Sequence, residues 1–357
     1  MFSLTELGWS SFFEKQAQPN TPLIPARVAE ESRELYHILC EQGEFPAELS
    51  GKLRHEIESR AGMPAVGDWV LAGLRPHQER ATIHRVLERK GRFSRKMAGR
   101  KTEERIVAAN IDVAFLVSSL NREFNLRRVE RYLTLAWDSG AKPLIVLNKV
   151  DLSNDHDRAT LRGEAEKTAT GVPVILTSAA CGHGVDELRA ILQPGVTAAF
   201  LGSSGVGKSS LINALLGTRQ LATQAIRASD DRGRHTTTTR QLLLLPRGGI
   251  VIDTPGMREL QLWDAREGLD QTFADIEELA TGCRFRDCRH QSEPGCAVRA
   301  AVQAETLDAR RLQSFHKLQK EERFLEAKQD AAVRSQRTKE LRRMMKSVNR
   351  FYRDRGR

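Results

Sequence analysis

The sequence predicts a multidomain α/β protein: a small all-β barrel, then an α/β domain on a parallel sheet, then a helical segment bearing a cluster of metal-ligating side chains. Three observations predict this. Short strand-like runs bounded by turn residues fill positions from about 20 to 95. Apolar runs then alternate with helical stretches from Asp112 to Ile252, as parallel sheets require. Beyond about Trp263 the strands stop; cysteines and a histidine cluster, and a polar stretch without glycine or proline runs from Glu305 to Phe351.

A chain of 357 residues has room for two or three domains, and 40% hydrophobic residues supply their cores, which excludes a wholly disordered chain. The first domain, expected at 1–105, has strand signals at Arg27–Glu31, Glu34–Leu39, Glu48–Glu56, around Gly67–Leu71 and at Ala81–Leu87. A five-stranded barrel of the oligonucleotide-binding type (OB-type) fits this spacing. A basic connector, Arg85 to Arg105, follows. The second domain, expected at 106–262, has apolar strands at Asp112–Ser118, Pro143–Leu147, Val172–Thr177, Val196–Leu201, Gln241–Leu245 and Ile250–Ile252, with helices at Leu126–Ser139 and Ser209–Leu216. The third is expected at 263–357. The net charge of +10 is unevenly placed: residues 331–357 carry +8 and residues 85–105 carry +6, so the rest is slightly acidic. The start, MFSLTELGWSSFFEKQ, lacks a secretory pattern and no apolar run approaches a membrane span, so the expectation is a soluble cytoplasmic protein without membrane association.

The strand Val196–Leu201 runs into Gly202, Ser203, Ser204, Gly205, Val206, Gly207, Lys208, Ser209 and the helical Ser210 onward. This is the phosphate-binding pattern G-x-x-x-x-G-K-[ST] in its strand–loop–helix setting. Glycines let the backbone wrap phosphates, Lys208 reaches the β- and γ-phosphates, and Ser209 ligates magnesium. The strand Ile250–Ile252 ends in Asp253, an acid placed to help hold that ion, and Gly256 leaves an N–H free to approach the γ-phosphate. Strand Pro143–Leu147 ends in Asn148, Lys149, Val150 and Asp151. An aspartate there pairs with the N1–H and 2-amino group of guanine, whereas adenine leaves it unpaired. Thr177, Ser178 and Ala179, at another strand end, suit a loop closing over the base. Between these motifs lies a polar stretch containing His235 and Thr236–Thr239. It reads either as an ordinary surface loop or as a ligand-ordered loop whose Thr237 or Thr238 meets magnesium and the γ-phosphate.

The order is unusual. Ras-like GTPases place the phosphate loop first and the guanine-reading motif late; here Asn148–Asp151 and Thr177–Ala179 precede Gly202–Ser209. The domain therefore reads as circularly permuted, which a fold tolerates when its old termini lie close together. Permuted motifs after a small β domain and before a cysteine–histidine cluster resemble the ribosome small-subunit-dependent GTPase A family. The resemblance implies a circularly permuted GTPase using GTP/GDP with Mg²⁺, stimulated by the small (30S) ribosomal subunit during its late assembly. It also implies guanine contacts at Asn148, Lys149 and Asp151, phosphate and magnesium contacts from Gly202 through Ser210, and a zinc-binding helical domain. Met257 stands where Ras-like GTPases carry a water-positioning glutamine, so slow intrinsic hydrolysis is expected, with His235 a candidate to orient water or else a loop residue touching RNA or solvent.

Cys283, Cys288, His290 and Cys296 form C-x₄-C-x-H-x₅-C, a donor set suited to one closed, structural zinc ion. In the final 27 residues Arg334, Arg337, Lys339, Arg342, Arg343 and Lys346, with Phe351 and Tyr352, read as a solvated helix or as an RNA arm; the RNA arm is favoured because such concentrated charge rarely serves folding, and the resemblance implies 16S rRNA as its partner. A monomer is expected. The competing functional class is a nucleotide-binding RNA chaperone whose hydrolysis is incidental; an ATP-dependent kinase is disfavoured by Asp151.

Overall fold

The structure, a computed structural model of the chain, describes residues 2–17, 21–32, 35–75, 79–96, 104–120, 124–218, 221, 240–253 and 265–327. After a single-turn helix, α1 (Ser11–Glu14), come strands β1 (Ile24–Ser32), β2 (Leu35–Cys40), β3 (Gly43–Leu49), β4 (Trp69–Arg75) and β5 (Arg80–Val86). They close into a five-stranded barrel in the order β1-β2-β3-β5-β4 and back to β1, antiparallel except for the parallel β3–β5 pair. Ala26, Val28, Tyr36, Ile38, Val70, Ala72 and Ile83 fill it.

One expected strand is corrected. Glu48–Glu56 is strand only to Leu49; Ser50 then accepts a hydrogen bond from Leu53 N at 3.1 Å and caps helix α2 (Gly51–Glu56). The cap satisfies an otherwise orphaned helix donor, and the turn delivers Leu53 to the barrel core. The basic connector is also more structured than a linker. It forms the hairpin β6 (Arg92–Lys96) and β7 (Glu104–Ala109), a strand that spans the boundary expected at 105/106. Several of its charges are spent internally: Arg89 on Asp68 at 2.7 Å, Arg92 on Glu104 at 3.0 Å and Arg105 on Glu31 at 2.8 Å.

The α/β domain follows as β8 (Val113–Ser119), α3 (Leu126–Asp138), β9 (Lys142–Asn148), α4 (Asp155–Thr168), β10 (Val174–Thr177), α5 (Val185–Ile191), β11 (Thr197–Leu201), α6 (Lys208–Leu216), β12 (Gln241–Leu244) and β13 (Ile250–Asp253). The sheet order is β10-β9-β8-β11-β13-β12; β12 alone runs antiparallel. Alternate strand residues face opposite sides. Phe115 and Phe200 pack beneath α5 and α6, whereas Leu116, Ile145 and Leu147 belong to the core shared with α3 and the C-terminal helices. Glu30 of β1 pairs with Gln241 of β12, so barrel and sheet are continuous. Arg27, 1% exposed, adds a second join by donating to the carbonyls of Leu7, Gly67 and Asn110.

The C-terminal part comprises α7 (Arg266–Thr272), α8 (Ala274–Ala280), α9 (Ala297–Gln303) and a helix α10 at 309–327. It packs on α3. A Cβ on Gly268 would stand 2.3 Å from the backbone oxygen of Thr134, so the two helices touch backbone to backbone there, and Thr134 and Thr272 hydroxyls meet at 3.1 Å. Arg311 on α10 binds Glu130 at 3.0 Å and Asp275 at 2.6 Å. The basic arm at 331–357 lies outside the described residues. No helix among the described residues is long and apolar enough to cross a membrane.

Candidate functional site

Because β9, β10 and β11 all run parallel, the segments that follow them emerge at one edge of the sheet, the edge at which β13 ends in Asp253. There they line an open cleft of about 820 Å³ bounded by Asn148, Lys149, Asp151, Leu152, Ala179, Ala180, Gly207, Ser210, Asn213, Ala214, Gly217 and Thr218.

After β11 the glycine loop runs from Gly202 to Gly207, and Lys208 opens α6. Gly207 has φ +100 and a Cβ there would lie 2.3 Å from Asn148 Nδ2, so both backbone conformation and space demand glycine. Asn148, 1% exposed, is the clamp of the site. Its Nδ2 donates to Val206 O at 2.8 Å, while its Oδ1 accepts from Thr177 Oγ1 at 3.1 Å and Ala179 N at 3.3 Å. One side chain thereby registers the glycine loop against the Thr177–Ala179 loop. Lys149 follows in the left-handed region at φ +67, at the sharp turn that carries the chain from β9 to Asp151. Asp151 accepts from Ser178 Oγ at 2.5 Å and is otherwise exposed to the cleft.

Lys208 Nζ donates to Gly202 O at 2.8 Å and Ser203 O at 2.6 Å, lying across its own loop. Asp253 ends β13. Burial pushes its carboxyl above the usual aspartate range, and the nearby Lys208 ammonium partly restores it. A half-buried acid and an ammonium lying on the glycine loop form a setting in which phosphate oxygens and a divalent cation find both charges they need.

The second constellation joins α8 to α9. Sγ of Cys283, Sγ of Cys288, Nδ1 of His290 and Sγ of Cys296 all lie within 4.8 Å of one another. Individual separations are 3.6 Å from Cys283 to His290, 3.4 Å from His290 to Cys296 and 3.9 Å from Cys283 to Cys296. Tetrahedral zinc with ~2.3 Å bonds to sulfur and ~2.0–2.1 Å to nitrogen sets its ligand atoms roughly 3.5–3.8 Å apart, so the donor set and spacing fit that ion. Burial and the neighbouring His316 hold His290 below its usual pKa, which favours the neutral form a ligand needs. Burial would raise Cys283, yet amides of Val298 and Ala297 and the adjacent thiols bring it below the ordinary cysteine value. Cys296 Sγ also accepts from Arg299 N at 3.4 Å, capping α9.

A family model described as RsgA GTPase matches residues 86–263. The chain is 46% identical to the small ribosomal subunit biogenesis GTPase RsgA of Opitutus terrae, with 93% of each chain covered. It is likewise 46% identical to the small ribosomal subunit biogenesis GTPase RsgA 2 of Lactiplantibacillus plantarum, with 99% of each covered.

The chain belongs to the RsgA GTPase family.

Among solved structures, YjeQ from Thermotoga maritima is similar with a TM-score of 0.62 at 29% identity, covering 83% of this chain and 97% of that one. YloQ, described as a circularly permuted GTPase, is similar at 0.59 and 25% identity, covering 88% of this chain and 99% of that one. As an RsgA-family enzyme the protein hydrolyses GTP, and its sheet carries the permutation physically: the strand leading into Gly202–Gly207 comes fourth in the domain yet lies at the centre of the sheet.

Of the residues singled out from sequence, the structure brings Asn148, Lys149, Asp151, Ala179, Gly207 and Ser210 to one cleft, with Thr177 and Ser178 beneath it. Val150 is buried and faces a neighbouring cavity with Asp151. Gly202, Ser203, Ser204, Gly205, Val206, Lys208 and Ser209 form the loop and the start of α6, and Asp253 closes β13 beside Lys208. His235, Thr237, Thr238, Gly256 and Met257 lie outside the described residues. Sequence reasoning missed Leu152 and Asn213. Leu152 is 73% exposed at the cleft, directly after Asp151. Ser210, Asn213, Ala214 and Gly217 share one helical face at intervals of three and four, a periodicity that would have found Asn213.

Proposed function

We propose that this protein is a GTP-driven switch in the maturation of the small ribosomal subunit, and that it acts on 16S rRNA as a cytoplasmic monomer. The observation that carries this reading is the single cleft in which Asp151 and the Asn148-clamped glycine loop face the same space. Asp151 reads guanine through two hydrogen bonds, with the Lys149 stem and Leu152 covering the base. Asn148 acts by holding Gly207 and Val206 in register, rather than through an outward-facing side chain. Backbone amides from Gly202 to Ser210 cradle the phosphates, and Lys208 exchanges its carbonyl partners for phosphate oxygens. Ser209 and Asp253 hold magnesium, which neutralises charge between the β- and γ-phosphates when bound. Thr237 or Thr238 joins the γ-phosphate from the threonine loop, and His235 orients water there. Cys283, Cys288, His290 and Cys296 hold one zinc ion that folds the loop between α8 and α9.

The small subunit as partner follows from what the curated relatives are named for. The basic arm at 331–357 supplies sequence-independent attraction to phosphates, so binding to the subunit weakens steeply between 50 and 200 mM salt, by about 10³-fold if several phosphates are contacted. The nucleotide reading is tested by Asp151→Asn. An amide presents one acceptor and one donor, which suits xanthine's N1–H and 2-oxo group. The variant should lose GTP and gain xanthosine triphosphate turnover; unchanged GTP preference contradicts the assignment.

A further inference from the structure

Lys149 takes the chain through the left-handed region at φ +67, and Val150–Leu152 then make a single tight turn. An L side chain keeps that conformation only where its surroundings over-determine it. Ahead of the turn, Leu120 N donates to Asn148 O at 2.9 Å and fixes the end of β9. Behind it, the hold comes from α4. Arg158 Nε donates to Val150 O at 3.0 Å and Nη2 donates to the same oxygen at 2.7 Å, while Nη1 donates to Asp155 Oδ1 at 2.7 Å. Asn154 caps α4 by accepting from Asp157 N at 2.9 Å, which sets Arg158 about one turn further in and lets it reach back over the chain.

Val150 O belongs to the peptide unit whose N–H is that of Asp151. The unit is planar, so a two-pronged hold on its oxygen fixes the plane from which the Asp151 side chain departs. Ser178 Oγ adds one hydrogen bond to the Asp151 carboxylate at 2.5 Å. That bond sets a distance to the Thr177–Ala179 loop, but a single bond leaves the carboxylate free to turn about it. Room to turn exists on the far side. Val150, Asp151 and Arg158 help to line a cavity of about 590 Å³ that shares Asp151 with the nucleotide cleft.

We infer that Arg158 is a positioning residue for guanine recognition: by holding the Val150 carbonyl it aims Asp151 so that both carboxylate oxygens meet the base edge at once. The inference rests on the reading that Asp151 pairs with N1–H and the 2-amino group of guanine. Two donors in one plane demand more of the acceptor's aim than one does, because a carboxylate turned out of that plane keeps one hydrogen bond and loses the other. In this role Arg158 touches the backbone of the turn and not the base, which separates it from the cleft residues that bind.

The test uses the full-length protein with GDP and with inosine diphosphate, which lacks only the 2-amino group. Wild type should bind GDP about tenfold or more tightly than inosine diphosphate, as one hydrogen bond to a carboxylate allows. Arg158→Ala should cut that ratio to about threefold or less, chiefly through weaker GDP binding. Arg158→Lys, which offers the carbonyl one hydrogen bond in place of two, should fall between, and it carries the test if Arg158→Ala melts early. Asp155→Ala removes only the ion pair on Nη1 and should keep the wild-type ratio. Single-turnover hydrolysis at saturating GTP should stay within about threefold in all three variants, since the phosphate loop is untouched. A wild-type ratio in Arg158→Ala overturns the inference, including the case in which both nucleotides weaken together, the mark of a merely structural role. An equal fall in Asp155→Ala assigns the effect to the start of α4 and overturns it as well. Wild type that binds GDP and inosine diphosphate equally overturns the reading of Asp151, and this inference with it.

Discussion

Gly207→Ala is the substitution whose consequence the geometry specifies most closely. A Cβ at φ +100 costs about 1–2 kcal/mol in backbone strain. It would also lie 2.3 Å from Asn148 Nδ2, and that carboxamide has nowhere to retreat, being held by Val206 O, Thr177 Oγ1 and Ala179 N. Displacing it breaks at least one buried hydrogen bond, about 1–3 kcal/mol more. The total, about 2–5 kcal/mol, corresponds to roughly 30- to 5,000-fold weaker nucleotide binding where the whole loss falls on the bound loop. Fluorescent GDP titration measures it, and a melting curve captures whatever part falls on the free protein. Gly171→Ala is the control: φ is +79 there with no neighbouring atom within 4 Å, so strain acts alone and far from the cleft. A Gly207→Ala protein that binds GDP within threefold of wild type and melts at the same temperature would refute the clamp.

Cys288→Ser should reduce bound zinc from one equivalent to a small fraction and expose the 283–296 loop to protease; metal analysis finding full zinc would remove Cys288 from the ligand set. Arg311→Met leaves Glu130, 2% exposed, as an uncompensated buried charge, a loss of about 3–5 kcal/mol readable by denaturant titration. Glu130 itself titrates above the ordinary glutamate value because burial outweighs its hydrogen bonds to Ser314 and Arg311 and the attraction of Arg311. With the folded pKa above the unfolded one, its contribution to stability is fullest below the unfolded value and is lost as pH rises through the folded value. Glu130→Gln should flatten that decline in a stability–pH profile, and an unchanged slope would contradict the assignment.

What was legible in the sequence was whatever a short stretch of chain determines by itself. Gly202–Ser210 announces its loop because glycines, lysine and serine are all needed within a few residues, and Cys283–Cys296 announces a donor set for the same reason. The permutation was legible from motif order alone, because strand direction and sheet order follow once the motifs must meet. Harder were features decided across distance. Asn148 reads as a base contact by its motif, yet its partners are Val206 and Thr177, 58 and 29 residues away. Charge counting made Arg85–Arg105 a uniformly basic segment, whereas Arg89, Arg92 and Arg105, three of its nine cations, are engaged by Asp68, Glu104 and Glu31. Glu48–Glu56 failed at Ser50 because an N-cap outweighed a run of weak strand signals.

GTP turnover in the presence of purified small subunits, of large subunits and of neither tests the central claim most directly, with Lys208→Ala as the inactive reference. The account predicts slow turnover alone, strong stimulation by small subunits only, and none in the Lys208 variant. Equal rates under all three conditions, or equal stimulation by large subunits, would contradict it.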